Sequence, residues 1–246
     1  MSNIYTNNYS RINLYKKTFP KSEVITQMIY GDSFKIISKH SKWMKIKIKE
    51  DGYIGYVKNK KFISYLKPTH KISVLFANIY KNSNFKKKIG KLSYGSKIKV
   101  KKIKSKFSQF QNKWIETKNI KSITHTNKSI FKDIKLFNNV KYKWGGKTFT
   151  GIDCSALIQV CLNFNNNFCP RDTGQQIKFF KKNINLKNIK KNDIIYWKGH
   201  VALALSVNKL IHAYGPKKKV LIMDIQKTVK LIKKTANLEV ISVKRI

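Results

Sequence analysis

The first half of the chain contains an internal repeat. The sequence Asn-Leu-Tyr-Lys at residues 13–16 reappears as Asn-Ile-Tyr-Lys at 78–81, and the Tyr-Gly pair at 30–31 reappears at 94–95, so the copies lie about 64 residues apart. Between these markers apolar residues alternate with polar ones, and Gly and Asn stand at the breaks, a pattern typical of short strands joined by turns. The repeat therefore predicts two small all-β units, of a size that suits small barrels.

The pattern changes from about Ser129 onward. Apolar residues at helical spacing predict a short helix that ends near Asn138, and a second helix begins near Cys154. Helices followed by antiparallel strands predict an α+β domain, so we divide the chain into residues 1–66, 67–125 and 126–246. The strand-like runs are Ile194–Trp197, Val201–Val207, Lys209–Ala213 and Val220–Ile225, with a last segment at Leu238–Val243.

The chain is strongly basic, with 53 Lys and Arg residues against 11 Asp and Glu and a formal net charge of +42. Because 41% of the residues are hydrophobic, the composition excludes a disordered polycation. Arg, which is best suited to contacts with phosphate and guanine, occurs only 3 times, and the charge is spread as +24 over residues 1–124 and +18 over 125–246. We therefore expect no specific nucleic-acid partner, only weak attraction to polyanions.

The hydrophobic residues also constrain the location of the protein. No run of 18 apolar residues occurs, so we expect no membrane span. The N-terminal residues contain no basic segment followed by an apolar one, so we expect a cytoplasmic protein, with non-classical export left open.

Three cysteines, Cys154, Cys161 and Cys169, lie within sixteen residues at a spacing that does not predict a disulfide framework. Cys154 follows a glycine-rich loop and would lie in the first turn of a helix, where unpaired amides and the helix dipole stabilise a thiolate. It is therefore the candidate nucleophile. Cys161 is predicted to be inert packing, and Cys169 a semi-exposed bystander.

Two histidines lie on neighbouring predicted strands and could serve as partners of the cysteine. His200 would be a general base, and His212 would orient it by a hydrogen bond. A two-residue turn would send the two rings to opposite faces of the hairpin, whereas a three-residue loop at Val207–Lys209 would pair Ala204 with His212 and place both rings on one face. We therefore predict an odd-length loop or a bulge.

These segments together resemble a known family. Tyr-x-Trp-Gly-Gly at 142–146, Asp-Cys-Ser at 153–155, Gly-His-Val at 199–201 and Ile-His-Ala at 211–213 are similar to motifs of the NlpC-type cell-wall peptidases, which are papain-like cysteine peptidases. The stretch from Ile25 to Val57 resembles the bacterial SH3 domains found beside such enzymes. The resemblance implies a papain-like α+β domain preceded by two SH3-like barrels, similar to γ-D-glutamyl-L-diamino-acid endopeptidases of the dipeptidyl-peptidase VI type.

The resemblance also implies roles for individual residues. Cys154 would be the nucleophile, His200 the general base and His212 the third polar residue. It implies no metal and no cofactor, and we expect a monomer that binds peptidoglycan-derived peptides. A free N-terminal ammonium of the substrate would be bound by Asp32 and Tyr53, with Glu50 or Asp51 as substitutes for Asp32. The other residues implied to contact or position the substrate are Tyr142, Asp153, Ser155 and Asp172.

The function implied is hydrolysis of peptidoglycan stem peptides or muropeptides at the bond between γ-D-glutamate and the diamino acid, through a thioester. Two alternatives stay open on the residues alone. The chain could be a wall- or polyanion-binding module with a non-catalytic peptidase-like domain. It could also be a papain-like amidase or acyltransferase that acts on another substrate, because the triad indicates the chemistry and not the substrate.

Overall fold

The computed structural model describes residues 4–82 and 87–246, so the first three residues of the segment inspected for a leader lie outside it. Residues 4–64 form module 1, an antiparallel sheet in the order β3-β2-β6-β5-β4-β1-β7. Alternate apolar residues of its strands point to one side, and Leu14, Phe34 and Ile46 are fully buried there. The strands are β1 (Ile4–Thr6), β2 (Arg11–Tyr15), β3 (Val24–Ile29), β4 (Ser33–His40), β5 (Trp43–Ile48), β6 (Ile54–Lys58) and β7 (Ile63–Ser64).

Residues 70–122 form module 2, which is also all-β and contains the second copy of the repeat. Its strands form two antiparallel sheets, in the orders β10-β9-β14-β13-β12 and β11-β8-β15, around a core that includes Ile72, Leu92 and Ile115. The strands are β8 (His70–Ile72), β9 (Phe76–Tyr80), β10 (Lys88–Ser93), β11 (Lys97–Ile98), β12 (Val100–Lys104), β13 (Phe107–Phe110), β14 (Lys113–Glu116) and β15 (Ile120–Ser122). The boundaries 1–66, 67–125 and 126–246 stay predictions.

The rest of the chain is the C-terminal domain, in which helices pack on an antiparallel sheet in the order β18-β23-β19-β20-β21-β22. Helix α1 packs with one face of this sheet, and α3 packs with the other. The predicted α+β class is confirmed. The elements are β16 (Lys147–Thr148), β17 (Gly151–Ile152), α1 (Cys154–Phe164), α2 (Thr173–Phe179), β18 (Lys182–Asn183), β19 (Ile194–Trp197), β20 (His200–Ala204), β21 (Lys209–Tyr214), β22 (Lys219–Asp224), α3 (Ile225–Ala236) and β23 (Ser242–Arg245).

The structure differs from the predicted elements in four places. The helix expected before Asn138 is a short 3-10 helix at Ile134–Phe137, neither α2 nor α3 was predicted, and the last strand is Ser242–Arg245 and not Leu238–Val243. Helix α3 begins at the N-cap Asp224, whose side chain accepts the amide hydrogen of Lys227. Across residues 4–82 and 87–246, every helix falls short of the length and apolar character that crossing a bilayer requires.

Arg171 is a buried cation at the junction of module 1 and the C-terminal domain. Its Nε donates a hydrogen bond to Oγ1 of Thr26 in β3 at 2.8 Å, and its two Nη atoms donate to the two carboxylate oxygens of Asp153. Asp153 is the N-cap of α1 and also accepts the amide hydrogen of Ala156 at 2.8 Å. The guanidinium group therefore ties module 1 to the residue at which α1 begins.

Lys71 of module 2 holds the opposite end of α1. Only 2% of Lys71 is exposed, and its ammonium group donates to the carbonyl oxygen of Phe164, the last residue of the helix, and to Oδ1 of Asn166 at 3.2 Å. A cation is favourable at this end of a helix because the unpaired carbonyls carry partial negative charge. Tyr94 of module 2 stacks on the Phe164 ring with centroids 4.6 Å apart, so the contact is apolar as well as ionic.

Modules 1 and 2 are joined by a third cation, which is partly buried. Lys97 of β11 contacts the carboxylates of Glu50 and Asp32, and its amide donates to the carbonyl oxygen of Tyr30 at 2.9 Å. Gly31 makes this approach possible, because it has φ +86° and a Cβ there would lie 2.1 Å from the carbonyl oxygen of Lys97. The three parts of the chain thus meet through buried and partly buried lysine and arginine side chains.

We predict that the Arg171–Asp153 pair is strongly coupled. Arg171→Met should lower the free energy of unfolding by about 3–5 kcal/mol, because it leaves the Asp153 carboxylate buried without its cation. Asp153→Asn keeps an N-cap acceptor but leaves the guanidinium unpaired. In urea unfolding, the double variant should lose about 2–3 kcal/mol less free energy of unfolding than the two single variants lose together.

The matched control is the exposed pair Lys233–Glu239, whose atoms lie 2.7 Å apart. Lys233→Met and Glu239→Gln should show a coupling of at most about 1 kcal/mol. If the losses of unfolding free energy for Arg171→Met and Asp153→Asn were additive, this would contradict the assignment of the Arg171–Asp153 pair as the link between module 1 and α1.

Candidate active site

Cys154 is the first residue of α1, directly after the short hairpin of β16 and β17. The hairpin and the Asp153 cap turn the chain sharply into the helix, so that the side chain of Cys154 stays at the helix end. Its Sγ faces the carbonyl oxygen of Gly199 at 4.0 Å, and the amide of Val201 also lies close to it. The thiol therefore lies at the start of β20, beside His200.

The protonation state of Cys154 differs from the sequence-based expectation of a stabilised thiolate. Its pKa is raised to about 12, chiefly because the thiol is buried and also because of the negative charge of Asp153, although the Val201 and Ser155 amides favour the thiolate. The helix dipole is therefore offset by the carboxylate that caps the same helix. The raised pKa favours a neutral Cys154 thiol at neutral pH.

The hairpin that carries the two histidines has the odd-length loop that the sequence predicted. Ala204 pairs with Leu210, and Ser206–Asn208 form a three-residue loop. The loop lies one residue earlier than the predicted Val207–Lys209, because the last of those residues already accepts a hydrogen bond from the opposite strand. Ala204 therefore does not pair with His212. The loop still has an odd number of residues, as predicted, so both histidines remain on one face of the hairpin.

The two histidines lie on one face of this hairpin and contact each other. Nε2 of His200 and Nδ1 of His212 are 2.9 Å apart. Burial lowers the pKa of His200 to about 4, and burial together with the charge of His200 lowers that of His212 to about 3. Both rings are therefore neutral at neutral pH. Because His212 occupies Nε2 of His200, Nδ1 is the nitrogen left for the thiol.

A cleft of about 690 Å³ opens at Cys154 between module 1 and the C-terminal domain. Both parts of the chain contribute to its walls, so the C-terminal domain alone would present only one side. Module 1 contributes Lys16, Glu23, Ile25, Asp51, Gly52, Tyr53 and Ile54. The C-terminal domain contributes Trp144, Asp153, Cys154, Ser155, Arg171, Asp172, Thr173, Gln175 and Gly199.

The Trp-Gly-Gly motif brings the two walls together. Trp144 is 60% exposed and its Nε1 donates to the carboxylate of Glu23 in module 1 at 2.8 Å. Gly145 has φ +69°, and a Cβ on it would lie 2.4 Å from the carbonyl oxygen of Val24. The glycine therefore serves the close approach of two backbones. Tyr142 lies near Cys154 and Asp153, and burial and these groups raise its pKa to about 12, so it is a protonated phenol.

Tyr53 and Asp172 meet in the cleft from opposite walls. The hydroxyl of Tyr53 donates to Oδ2 of Asp172 at 2.9 Å. Burial raises the pKa of Asp172, against the hydrogen bond from Tyr53 and the charge of Arg171, which lower it. In the described part of the chain, no lysine or arginine nitrogen lies within 4.0 Å of this carboxylate, and a cationic ligand would therefore stabilise it.

The structure does not bring Asp32 to the cleft. Its carboxylate accepts the amide hydrogen of Ile29 at 2.9 Å and pairs with Lys97 at the junction of modules 1 and 2. Glu50 is engaged by the same lysine, and the Asp51 side chain is buried against Lys147. The carboxylate available near the ammonium position implied by the sequence is therefore that of Asp172.

Asp153 and Ser155 line the cleft, but their side chains already make hydrogen bonds to other groups of the protein. Both oxygens of Asp153 accept from Arg171, and the Ser155 hydroxyl donates to Asp153 at 3.2 Å and accepts from Arg171 at 2.8 Å. Their observed contacts position the first turn of α1. Contact with substrate stays a prediction for both residues.

The two other cysteines have no access to the cleft. Cys161 is fully buried in the core, as expected. The prediction that Cys169 is semi-exposed is wrong, because it is fully buried and its thiol donates to the Pro170 carbonyl oxygen at 3.4 Å. Burial raises the pKa of both thiols. Among the described residues, His, Cys, Asp and Glu side chains form no group of three that could hold a metal ion.

Sequence reasoning missed three contributors to the site. Arg171 was not among the predicted site residues, and its contact with both Thr26 and Asp153 needs the fold of module 1. Glu23 gave no local signal. Met223 lies 3.3 Å from Nε2 of His212 and was read only as part of a strand. A single strong clue was available, since Arg171 is one of only 3 arginines in the chain.

Two family matches cover the parts of the chain that form the cleft. Residues 139–236 match the NlpC/P60 family, and residues 14–62 match the bacterial dipeptidyl-peptidase Sh3 domain. The first match contains Cys154, His200 and His212. The second contains Glu23 and Tyr53.

Similar proteins have been described in bacteria. Dipeptidyl-peptidase 6 of Lysinibacillus sphaericus is 38% identical over 72 residues, which are 29% of this chain and 27% of the relative, so little more than a quarter of that protein is matched. A γ-D-glutamyl-L-lysine dipeptidyl-peptidase of Bacillus subtilis is 24% identical over 231 residues, with 83% of this chain and 77% of the relative covered.

The architecture has counterparts among solved structures. An NlpC/P60 family protein from Bacillus cereus superimposes with a TM-score of 0.83 at 17% identity, over 98% of this chain and 99% of that one. An NlpC/P60 endopeptidase from Photobacterium damselae has a TM-score of 0.63 at 13% identity, over 97% and 70% of the two chains. At such identities these likenesses establish the fold alone. The family matches therefore identify residues 139–236 as an NlpC/P60 domain and residues 14–62 as a bacterial SH3 domain, in a chain homologous to γ-D-glutamyl-L-lysine dipeptidyl-peptidases.

Proposed function

We propose that the protein hydrolyses short peptidoglycan-derived peptides at the bond between γ-D-glutamate and the following diamino acid. The observation that carries the proposal is that Cys154 lines one cleft with Tyr53 and Asp172, while its thiol lies against the backbone of Gly199 and Val201, on either side of His200, which contacts His212. Cys154 and the two histidines supply groups for acyl-transfer chemistry, and Tyr53 and Asp172 supply an anionic end to the cleft. The name of the relative from Bacillus subtilis, a γ-D-glutamyl-L-lysine dipeptidyl-peptidase, supports the same bond.

The reaction begins with a neutral Cys154 thiol and a neutral His200 imidazole. As Sγ of Cys154 attacks the γ-carbonyl carbon, its proton moves to Nδ1 of His200 and a C–S bond forms. The C–N bond then breaks, and His200 returns the proton to the leaving amine. Water, deprotonated by His200, attacks the resulting thioester, which releases the carboxylate product and restores the thiol.

The charge that develops on the carbonyl oxygen needs hydrogen-bond donors. The backbone amide of Cys154 lies at the unpaired N-terminal end of α1, where amide hydrogens are free to donate. The phenol of Tyr142 remains protonated at neutral pH, because its pKa is raised to about 12. We assign these two groups to the oxyanion.

The far end of the substrate would be held at Tyr53 and Asp172. An ammonium group placed against Asp172 would supply the cation that this carboxylate lacks and would lower its raised pKa. A substrate with a free N-terminal L-alanine meets this requirement, and a peptide whose alanine nitrogen is acylated does not. We therefore assign the enzyme to peptides already released from the wall.

We predict that the purified protein cleaves L-Ala-γ-D-Glu-L-Lys or its diaminopimelate counterpart into the dipeptide L-Ala-D-Glu and the free diamino acid, as measured by mass spectrometry. Cys154→Ala should abolish the cleavage, because no other cysteine reaches the cleft. The matched control, Cys161→Ala, should keep it. Cleavage at another bond would contradict the substrate assignment, and no cleavage of any stem peptide would favour a non-catalytic binding module.

We predict that a free amino terminus is required. N-acetylation of the alanine should reduce kcat/KM, and Asp172→Asn should raise KM for the free peptide by about 10- to 100-fold, since a hydrogen bond between charged groups is lost. Glu239→Gln, which removes an exposed carboxylate far from the cleft residues, is the control. Equal rates for the free and acetylated peptides in the wild-type protein would refute the ammonium site.

We predict that the resting nucleophile is a thiol and not a thiolate. The ultraviolet thiolate absorbance of the wild type minus that of Cys154→Ala should be absent at neutral pH, because the pKa of Cys154 is raised to about 12. Since the pKa of His200 is lowered to about 4, the base is neutral above that pH, and kcat/KM should fall only as the pH drops toward it. Circular dichroism at each pH separates this loss from acid unfolding. A thiolate signal at neutral pH would contradict the assignment of a neutral Cys154 thiol and a neutral His200.

A further inference from the structure

His212 contacts His200, and its surroundings hold the ring in one orientation. The residue is fully buried. Its Nδ1 lies 2.9 Å from Nε2 of His200, and its Nε2 lies 3.3 Å from Sδ of Met223. The ring of Tyr214 stacks on it with centroids 4.7 Å apart and an interplanar angle of 8°. Each ring nitrogen therefore has one partner in the ring plane.

The position of Met223 follows from the register of the hairpin. In the pairing of β21 with β22, His212 is opposite Leu221 and Leu210 is opposite Met223. Met223 is thus the diagonal neighbour of His212 on the same face, within reach of a long side chain. The directly opposite residue, Leu221, offers no polar atom. Among the described residues, Sδ of Met223 is the acceptor within hydrogen-bond distance of Nε2 of His212.

A thioether sulfur has no hydrogen and can only accept a hydrogen bond. A neutral imidazole has one N–H, and burial keeps His212 neutral. When that hydrogen is on Nε2 it points at the sulfur, and the lone pair of Nδ1 points at His200. His200 must then donate from its Nε2, which leaves the lone pair on its Nδ1.

The opposite arrangement would put both hydrogens on the Nδ1 atoms. The lone pair of Nε2 in His212 would then face the lone pairs of the sulfur. More importantly, Nδ1 of His200 would already carry a hydrogen and could not receive the proton of Cys154. The two tautomer pairs therefore differ in whether the general base is ready.

We propose that Met223 is a positioning residue whose sulfur fixes both histidines as Nε2–H tautomers, and that it thereby keeps Nδ1 of His200 free to take the proton of Cys154. The proposal rests on the proposed function only for the role of His200 as the base. The tautomers themselves are properties of the free protein, which can be measured without substrate.

The test uses the full-length protein with ¹⁵N-labelled histidine. Nitrogen NMR of the free protein should show both His200 and His212 with the hydrogen on Nε2. Met223→Leu, of similar volume but without an acceptor, should weaken this preference and lower kcat roughly 3- to 10-fold at unchanged KM. Met223→Gln, whose amide oxygen can accept, should restore both properties. Ile222→Leu, on the opposite face of β22, is the control and should match the wild type.

The outcomes separate this proposal from the function itself. A wild-type protein with the hydrogen on Nδ1 of His212 would overturn the proposal, whether or not any variant folds. So would a Met223→Leu protein with wild-type tautomers, even if its kcat fell, since that loss would be structural. A Met223→Gln protein that behaves like Met223→Leu would also overturn it. Persistent hydrolysis by Cys154→Ala would instead refute the proposed function and leave the tautomer result standing.

Discussion

The ion pair between Arg171 and Asp153 is the interaction on which the site depends. It is buried, so its geometry has to satisfy both charges, and the Nε–H of the guanidinium group donates to Thr26 of module 1. Because Asp153 is also the N-cap of α1, the same contact sets the start of the helix, the location of Cys154 and the seating of module 1 across the cleft. The negative charge of Asp153 also favours a neutral Cys154 thiol.

The high positive charge of the chain gains a clearer meaning from the structure. Of the 11 acidic residues, nine lie within 4.0 Å of a described lysine or arginine nitrogen, several of them at the junctions between modules. The other two, Asp133 and Asp172, accept hydrogen bonds from tyrosines. Asp133 is partly buried beside Tyr94, and Asp172 faces the cleft. In a protein with 53 basic residues, a cleft carboxylate without its own cation is suited to binding a cationic substrate.

Much of the fold and part of the site could be predicted from the sequence, because they depend on local patterns. Alternation predicted the β modules, and the requirement that His200 and His212 share a face predicted an odd-length hairpin loop. Long-range contacts could not be predicted in this way. Asp32 occupies a suitable motif position, but the approach of Lys97 from module 2 turns it away from substrate. The state of Cys154 depends on the burial and charge of its neighbours, and the local helix dipole alone indicated the wrong state.

The central claim is that module 1 and the C-terminal domain form one substrate site around Cys154. The most direct measurement is a crystal structure of the Cys154→Ala protein with L-Ala-γ-D-Glu-L-Lys bound. The account predicts the peptide ammonium within hydrogen-bond distance of the Asp172 carboxylate and the Tyr53 hydroxyl, with the γ-carbonyl carbon beside position 154 and next to Nδ1 of His200. A peptide bound with its ammonium away from module 1, or with a different carbonyl at position 154, would contradict it.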